Sequence, residues 1–171
     1  ALCGITEEEM REHMGEGIGR LADNLGVSPE GALGALKSNY DGYHFTWPSP
    51  DIYNPFSLLN ALADSKLNSY WFGSGTPTYL IEMLNKYHVK PQQIGARKVL
   101  AESFDAPTER MVDITPLLYQ SGYITIKDYS SLTNLYTLDI PNKEVRMGLM
   151  KSLLPNYLHQ YTADGLTTVA L

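Results

Sequence analysis

A single cysteine, Cys3, stands in 171 residues, so no intrachain disulfide can form and a reducing compartment is the simplest setting. The histidines at 13, 44, 88 and 159 share no metal-ligand spacing, and with one thiol they do not make a zinc site. No apolar run reaches the length needed to span a bilayer, and the first twenty residues are acidic and helical in pattern, neither a signal peptide nor an anchor. A cytoplasmic location, with no membrane partner, is the resulting expectation. Basic charge is also scarce: 13 Lys and Arg face 19 Asp and Glu, a net charge of −6. That balance disfavours a general affinity for nucleic acid or acidic membranes. Internal repeats and low-complexity segments are missing too.

What is there is an ordinary globular composition, 43% hydrophobic and 19% charged, enough to bury a core as one domain or two small ones. Acid is concentrated early: residues 1–30 hold seven Asp and Glu against two Lys and Arg, whereas residues 90–160 hold seven against eight. The chain opens on Ala-Leu-Cys-Gly rather than methionine and closes without an obvious tail, which predicts a piece of a larger protein.

Thr6-Glu7-Glu8-Glu9 has capping-box spacing. Met10, Met14, Ile18, Leu21 and Leu25 follow as one stripe, but Gly15, Gly17 and Gly19 predict two short helices with a break near Gly15, closed by Gly26. Ser28-Pro29 caps a third helix that turns Leu33, Leu36 and Tyr40 inward. Asp41-Gly42 is a turn signal, and Tyr43–Phe45 with Asp51–Tyr53 predicts a short hairpin around a proline-rich tip. Asn54-Pro55 starts a helix through Leu58, Leu59 and Leu62, and another runs from Pro77 to Tyr87. Across Gln92–Asp105 the pattern is ambiguous, with Val99-Leu100 fitting a strand or a short helix. A helix or helix pair carrying Met111, Ile114, Leu117 and Leu118 then ends at Gly122. "YITIKDY" and "LYTLDIP" alternate at strand period around "SSLTN". Asn142 caps a last helix that buries Val145, Leu149 and Leu153-Leu154. The predicted fold class is mainly α (α+β): a helical bundle over 1–95, then a winged-helix-like unit with a small β-hairpin over 96–171. Two short elements of that unit must come from Gln92–Asp105, and a hinge would fall between Tyr87 and Thr108.

The stretch "WFGSGTPTYLIEML" puts glycines ahead of a helix, the usual setting of a phosphate cradle. It does not fit one. A Walker loop requires lysine directly after its second glycine, and here the next lysine is Lys86. Thr78 stands where a dinucleotide fingerprint needs its third glycine. Thr76 capping a helix that Pro77 begins is the plain local reading. Asp41 and His44, three residues apart across a turn, would make an acid–base pair. The stronger reading has Asp41 bonding its own turn while His44 packs over helix ends. Tyr40, Tyr43, Tyr53, Tyr70 and Tyr79 would line a base or peptide pocket or, more simply, the core. As a DNA reader the second half is poor: Thr108–Gln120 offers Arg110 against Glu109 and Asp113, and Lys127 stands beside Asp128.

Taken together, "YDGYHF", "DIYNPFSLLNAL", "YWFGSGTPTYLIEML", "LLYQSGYITI" and "IPNKEVR" closely resemble the bacterial AAA-ATPase-like family of P-loop proteins. Many of its members carry a PD-(D/E)XK nuclease-like domain at the C-terminus. The similarity runs from "LCGITEEEM" to about Leu158. It implies that the Walker motifs, and the Mg-bound ATP they hold, belong to an ATPase core upstream of this sequence. The first subdomain would then be the helical lid that follows the core. No nuclease signature occurs here, and a nuclease-like domain would lie further on. The resemblance also implies that Gly75-Thr76-Pro77, a Gly-x-Pro motif opening a lid helix, lies against adenine. Glycine lets the backbone approach a flat ring, and proline adds an apolar face without a competing donor. The expected role is therefore non-catalytic: adenine contact and relay of nucleotide state, with no ligand held tightly by these residues alone. The alternative is a protein- or nucleic-acid-binding module without ATP dependence, whose acidic helices suit a basic protein partner.

Overall fold

The computed structural model describes residues 4–71 and 78–154. Local capping chemistry sets its first half. The Glu9 amide donates to the Thr6 hydroxyl (3.2 Å) and the Thr6 amide to the Glu9 carboxylate (3.0 Å), closing the predicted box at the start of α1 (Glu7–His13). α2 (Gly15–Leu25) restarts after Met14, so the helix breaks where the glycines begin. It ends on Gly26 at φ 68, a left-handed position that glycine reaches without strain. Ser28 caps α3 (Pro29–Tyr40), and Asn54 accepts from the Phe56 and Ser57 amides at the start of α4 (Pro55–Asp64). The buried faces of these helices meet in one cluster around Met10, Leu21, Leu36, Leu58, Tyr40 and Tyr53. Leu59 is about half exposed, because Leu58, Ala61 and Leu62 define the inner face of α4.

The hairpin expected at 43–53 is reduced to one antiparallel bridge, Tyr43 to Ile52. β2 (Ile52–Tyr53) gives its other edge to β1 (Ile5–Thr6), an N-terminal partner that residue spacing does not reveal.

A second cluster gathers the rest. α5 (Thr78–Lys86), grouped by sequence with the helices before it, lends Leu80 and Leu84 to this cluster. The ambiguous stretch resolves into a 3-10 turn (Pro91–Gln93), β3 (Arg97–Val99) and α6 (Ala101–Phe104). After a second 3-10 turn (Thr108–Arg110) and α7 (Thr115–Gln120), β4 (Thr125–Ser130) and β5 (Leu135–Asp139) form the expected hairpin. The sheet is antiparallel in the order β3-β5-β4, and α8 follows over 143–154. Asn142 caps α8 through the Val145 amide (3.1 Å). Val145, Leu149 and Leu153 are buried, whereas Leu154 is exposed. The architecture is mixed α/β with small antiparallel sheets.

β4 and β5 slip register between Ile126 and Asp128, leaving Lys127 as the extra residue of a bulge. The bulge aims Lys127 at the Tyr40–His44 segment instead of at solvent. There Gly42 adopts φ 97, and a Cβ on it would strike the Pro141 carbonyl oxygen and the Lys127 ammonium. Gly42→Ala is therefore expected to cost about 2 kcal/mol or more, read as a lowered urea midpoint; an unchanged midpoint would contradict this packing.

Candidate functional site

Tyr40 belongs to the first cluster and Tyr43 to the second, so the chain between them crosses from one core to the other. Backbone groups on such a path need partners, and distant side chains provide them. Asn142 Nδ2 donates to the Asp41 carbonyl at 3.0 Å. Lys127 donates to the carbonyls of Gly42 (2.5 Å) and Pro141 (3.2 Å). The His44 amide donates to the Thr125 hydroxyl at 2.8 Å, and that hydroxyl donates back to the His44 carbonyl at 2.7 Å. Burial lowers the Lys127 pKa, with Asp51 and Asp41 pulling the other way.

The carboxylate of Asp41 is treated differently. It is 2% exposed, and neither oxygen has a hydrogen-bond partner of good geometry. Of its own turn, the Gly42 amide attracts this carboxylate, outside good hydrogen-bond geometry. Lys37 stands 3.8 Å from Oδ2, held there by Glu7 at 3.2 Å. Burial pushes the Asp41 carboxyl up to about 6, opposed by the Gly42 amide and Lys37 and reinforced by Asp51. The Tyr53 hydroxyl, also buried, likewise has no hydrogen-bond partner among the described residues.

Asp41 and His44 do not pair. Residues three apart in an extended segment project to opposite sides, and His44 turns to the proline-rich tip. Its Nε2 lies 2.5 Å from Asp51 Oδ1, its Nδ1 lies 2.9 Å from Ser49 Oγ, and Trp47 packs against it edge-on at 4.9 Å. Ser, His and Asp side chains are thus in line, but Ser49 donates its own proton to the Thr46 carbonyl at 2.8 Å. A nucleophilic serine would present that proton to the imidazole. The array staples the loop.

Glu144, in the first turn of α8, is 2% exposed. It accepts from the Ser57 hydroxyl at 2.7 Å and from the Trp71 amide at 3.3 Å. Burial raises its pKa, and these hydrogen bonds oppose the shift. One carboxylate therefore joins α8 to α4 and to the residue before "FGSGTP". Neither Glu144 nor Asp51 stood out in the sequence; an acid in a helix's first turn reads as ordinary dipole compensation. Gly75, Thr76 and Pro77 lie outside the described residues. Tyr40, Tyr43 and Tyr53 line the cores, and Tyr79 is exposed. Among the described residues no group of three or more His, Cys, Asp or Glu gathers at metal-binding geometry, and no helix is long and apolar enough to cross a membrane.

Fold and site thus define a mixed α/β protein whose two apolar clusters are tied by a polar crossing. A curated relative from Azotobacter chroococcum mcd 1, described as an uncharacterized protein in the vnfD 5' region, is 29% identical over 163 residues. The match covers 92% of this chain and 29% of the relative, so the chain spans well under half of that protein's length. No family model and no solved structure matches the chain.

Two predictions follow from the buried carboxylates. Asp41 has a folded pKa above its unfolded one, so the folded state binds the proton more tightly and stability contributed by this group falls as pH rises from about 4 through 6. Asp41→Asn should be the more stable protein at pH 7, by about 1–3 kcal/mol, and this advantage should close as pH falls towards 4. Urea melts at both pH values check it; a pH-independent difference would contradict it. Glu144→Ala should lose about 2–3 kcal/mol and Glu144→Gln distinctly less, because only Gln retains an acceptor for Ser57 or Trp71.

Proposed function

We infer that the chain is the non-catalytic lid plus winged-helix-like part of a bacterial AAA-type P-loop ATPase. In the intact protein it contributes to ATP binding and relays nucleotide state. The observation that carries this reading is the Glu144 link. A carboxylate on α8 grips the Trp71 backbone, a few residues ahead of Gly75-Thr76-Pro77 in sequence, so a displacement of Trp71 would be felt directly by α8. The element order also supports it: α5, β3, α6, α7, β4, β5 and α8, with sheet order β3-β5-β4, is compatible with a winged-helix-like unit. The far greater length of the Azotobacter relative fits a part that works within a larger protein.

Four residues carry this account. Gly75, Thr76 and Pro77 contact adenine, Glu144 transmits their displacement, and phosphate chemistry belongs to the upstream core. Lys127, which would sit at the wing, spends its ammonium on two carbonyls, which weighs against a nucleic-acid role. The test is nucleotide handling by the purified chain. The expected result is no ATP hydrolysis above the buffer rate and binding of a fluorescent ATP analogue no tighter than about 1 mM. Turnover above ~0.01 s⁻¹, retained after repeated purification, would overturn the reading.

A further inference from the structure

The donors and acceptors around His44 fit one protonation state. Its Nδ1 lies 2.9 Å from Ser49 Oγ, and that hydroxyl has already given its single proton to the Thr46 carbonyl at 2.8 Å. Only lone pairs of Ser49 therefore face Nδ1, and the bond between them needs a proton on the ring. On the other side, Nε2 lies 2.5 Å from Asp51 Oδ1. An ionised carboxylate accepts and cannot donate, so this bond also needs a proton on the ring. A neutral imidazole has one N–H, and here two acceptors face it. The arrangement is that of an imidazolium.

The ring has no room to turn away when the second proton leaves. The His44 amide and carbonyl are both bonded to the Thr125 hydroxyl, Trp47 packs against the ring, and the residue is buried. Asp51 needs an N–H in either state, because a bare Nε2 would set a lone pair against its charge. Ser49 can adapt, since a hydroxyl is a rotor. Turned towards Nδ1, it donates to the neutral ring and leaves the Thr46 carbonyl, which belongs to an exposed residue and takes water instead. Loss of one proton thus exchanges the Thr46–Ser49 bond for a Ser49–His44 bond, while the Asp51 bond stays. Of the charged groups around the tip, Asp51 is the one paired with the ring. It shares its cleft with Glu7 and Glu8 of α1, Lys37 of α3 and Asp41, and Lys127 on β4 also feels its charge.

We propose that His44 is a proton-operated latch for the tip at residues 45–51. With the ring charged, Ser49 ties the Thr46 carbonyl and the tip is closed on itself. With the ring neutral, Ser49 turns to Nδ1 and the Thr46 carbonyl is released to solvent. The moving part is one hydroxyl at a partly exposed position, and the Thr125 bonds hold the His44 backbone in both states. The latch does not depend on the nucleotide reading.

The experiment is an NMR titration of the full chain from about pH 5.5 to about pH 9, following the two His44 ring nitrogens and the Thr46 carbonyl carbon. At the acid end both nitrogens should carry protons. At the alkaline end Nε2 should keep its proton while Nδ1 reads as an acceptor, and the Thr46 carbonyl should shift with the same midpoint as the ring. In Ser49→Ala the ring should still titrate, but the Thr46 carbonyl should no longer follow it. Asp51→Asn, which removes the anion that holds the cation, should move the ring midpoint down by about one pH unit or more. A ring that stays in one protonation state throughout, or one that keeps its last proton on Nδ1, would overturn the latch. So would a Thr46 carbonyl that ignores the ring, or one that follows it equally well in Ser49→Ala, or a midpoint unmoved by Asp51→Asn. Ser49→Ala, at a partly exposed position, keeps the test decisive should Asp51→Asn fail to fold.

Discussion

The structure depends on how the backbone from Tyr40 to His44 is satisfied as it leaves a helix and passes between two apolar cores. Water is excluded along this path, and an unpartnered peptide group there would cost about as much as a lost hydrogen bond. Asn142, Thr125 and Lys127 come from the far end of the sequence to supply the partners. Each is fixed by its own element: Asn142 by capping α8, Thr125 by the start of β4, Lys127 by the bulge that follows. The two clusters thereby share polar bonds whose loss would expose both. Glu144 adds a second tie through Ser57 and Trp71.

Not every polar group at the crossing is satisfied. The Asp41 main chain is bonded, while its carboxylate is buried without a hydrogen bond. A protein under selection for stability alone would place an amide or an apolar group there. Lys37 at 3.8 Å and the Gly42 amide offset part of the cost of burying this charge. His44 shows the opposite economy, with both ring nitrogens engaged inside its own loop. Of the two groups that sequence singled out, the aspartate is buried beside Lys37 and the histidine holds the tip loop.

What was legible in the sequence was local. Thr6, Ser28, Asn54 and Asn142 announce their helices because a cap is decided within three residues, and the break near Gly15 falls at Met14, just ahead of the glycines that α2 itself contains. The β4–β5 hairpin shows through its alternation. The β1 strand did not, since two residues carry no period and Ile5 finds Tyr53 only after the chain has closed. Leu154 reads as inward beside Leu153 but is exposed, because apolarity says nothing about which side of a helix meets the core. Partner choice was the least legible. Asp41 spaced from His44 invites a pair, but extended geometry separates them and gives His44 to Asp51. Lys127 read as half of a charge-neutral wing, because a bulge that redirects it leaves no trace in residue type.

If the crossing joins the cores, they open together, and the proposed relay from Trp71 to α8 has a rigid path. Native-state hydrogen exchange reads this most directly. The amide of Leu36 in the first cluster and that of Leu118 in the second should exchange at a common opening free energy, equal to that of global unfolding. Exchange of one cluster through a separate opening, at a free energy well below the other's, would contradict a coupled body and the relay that rests on it.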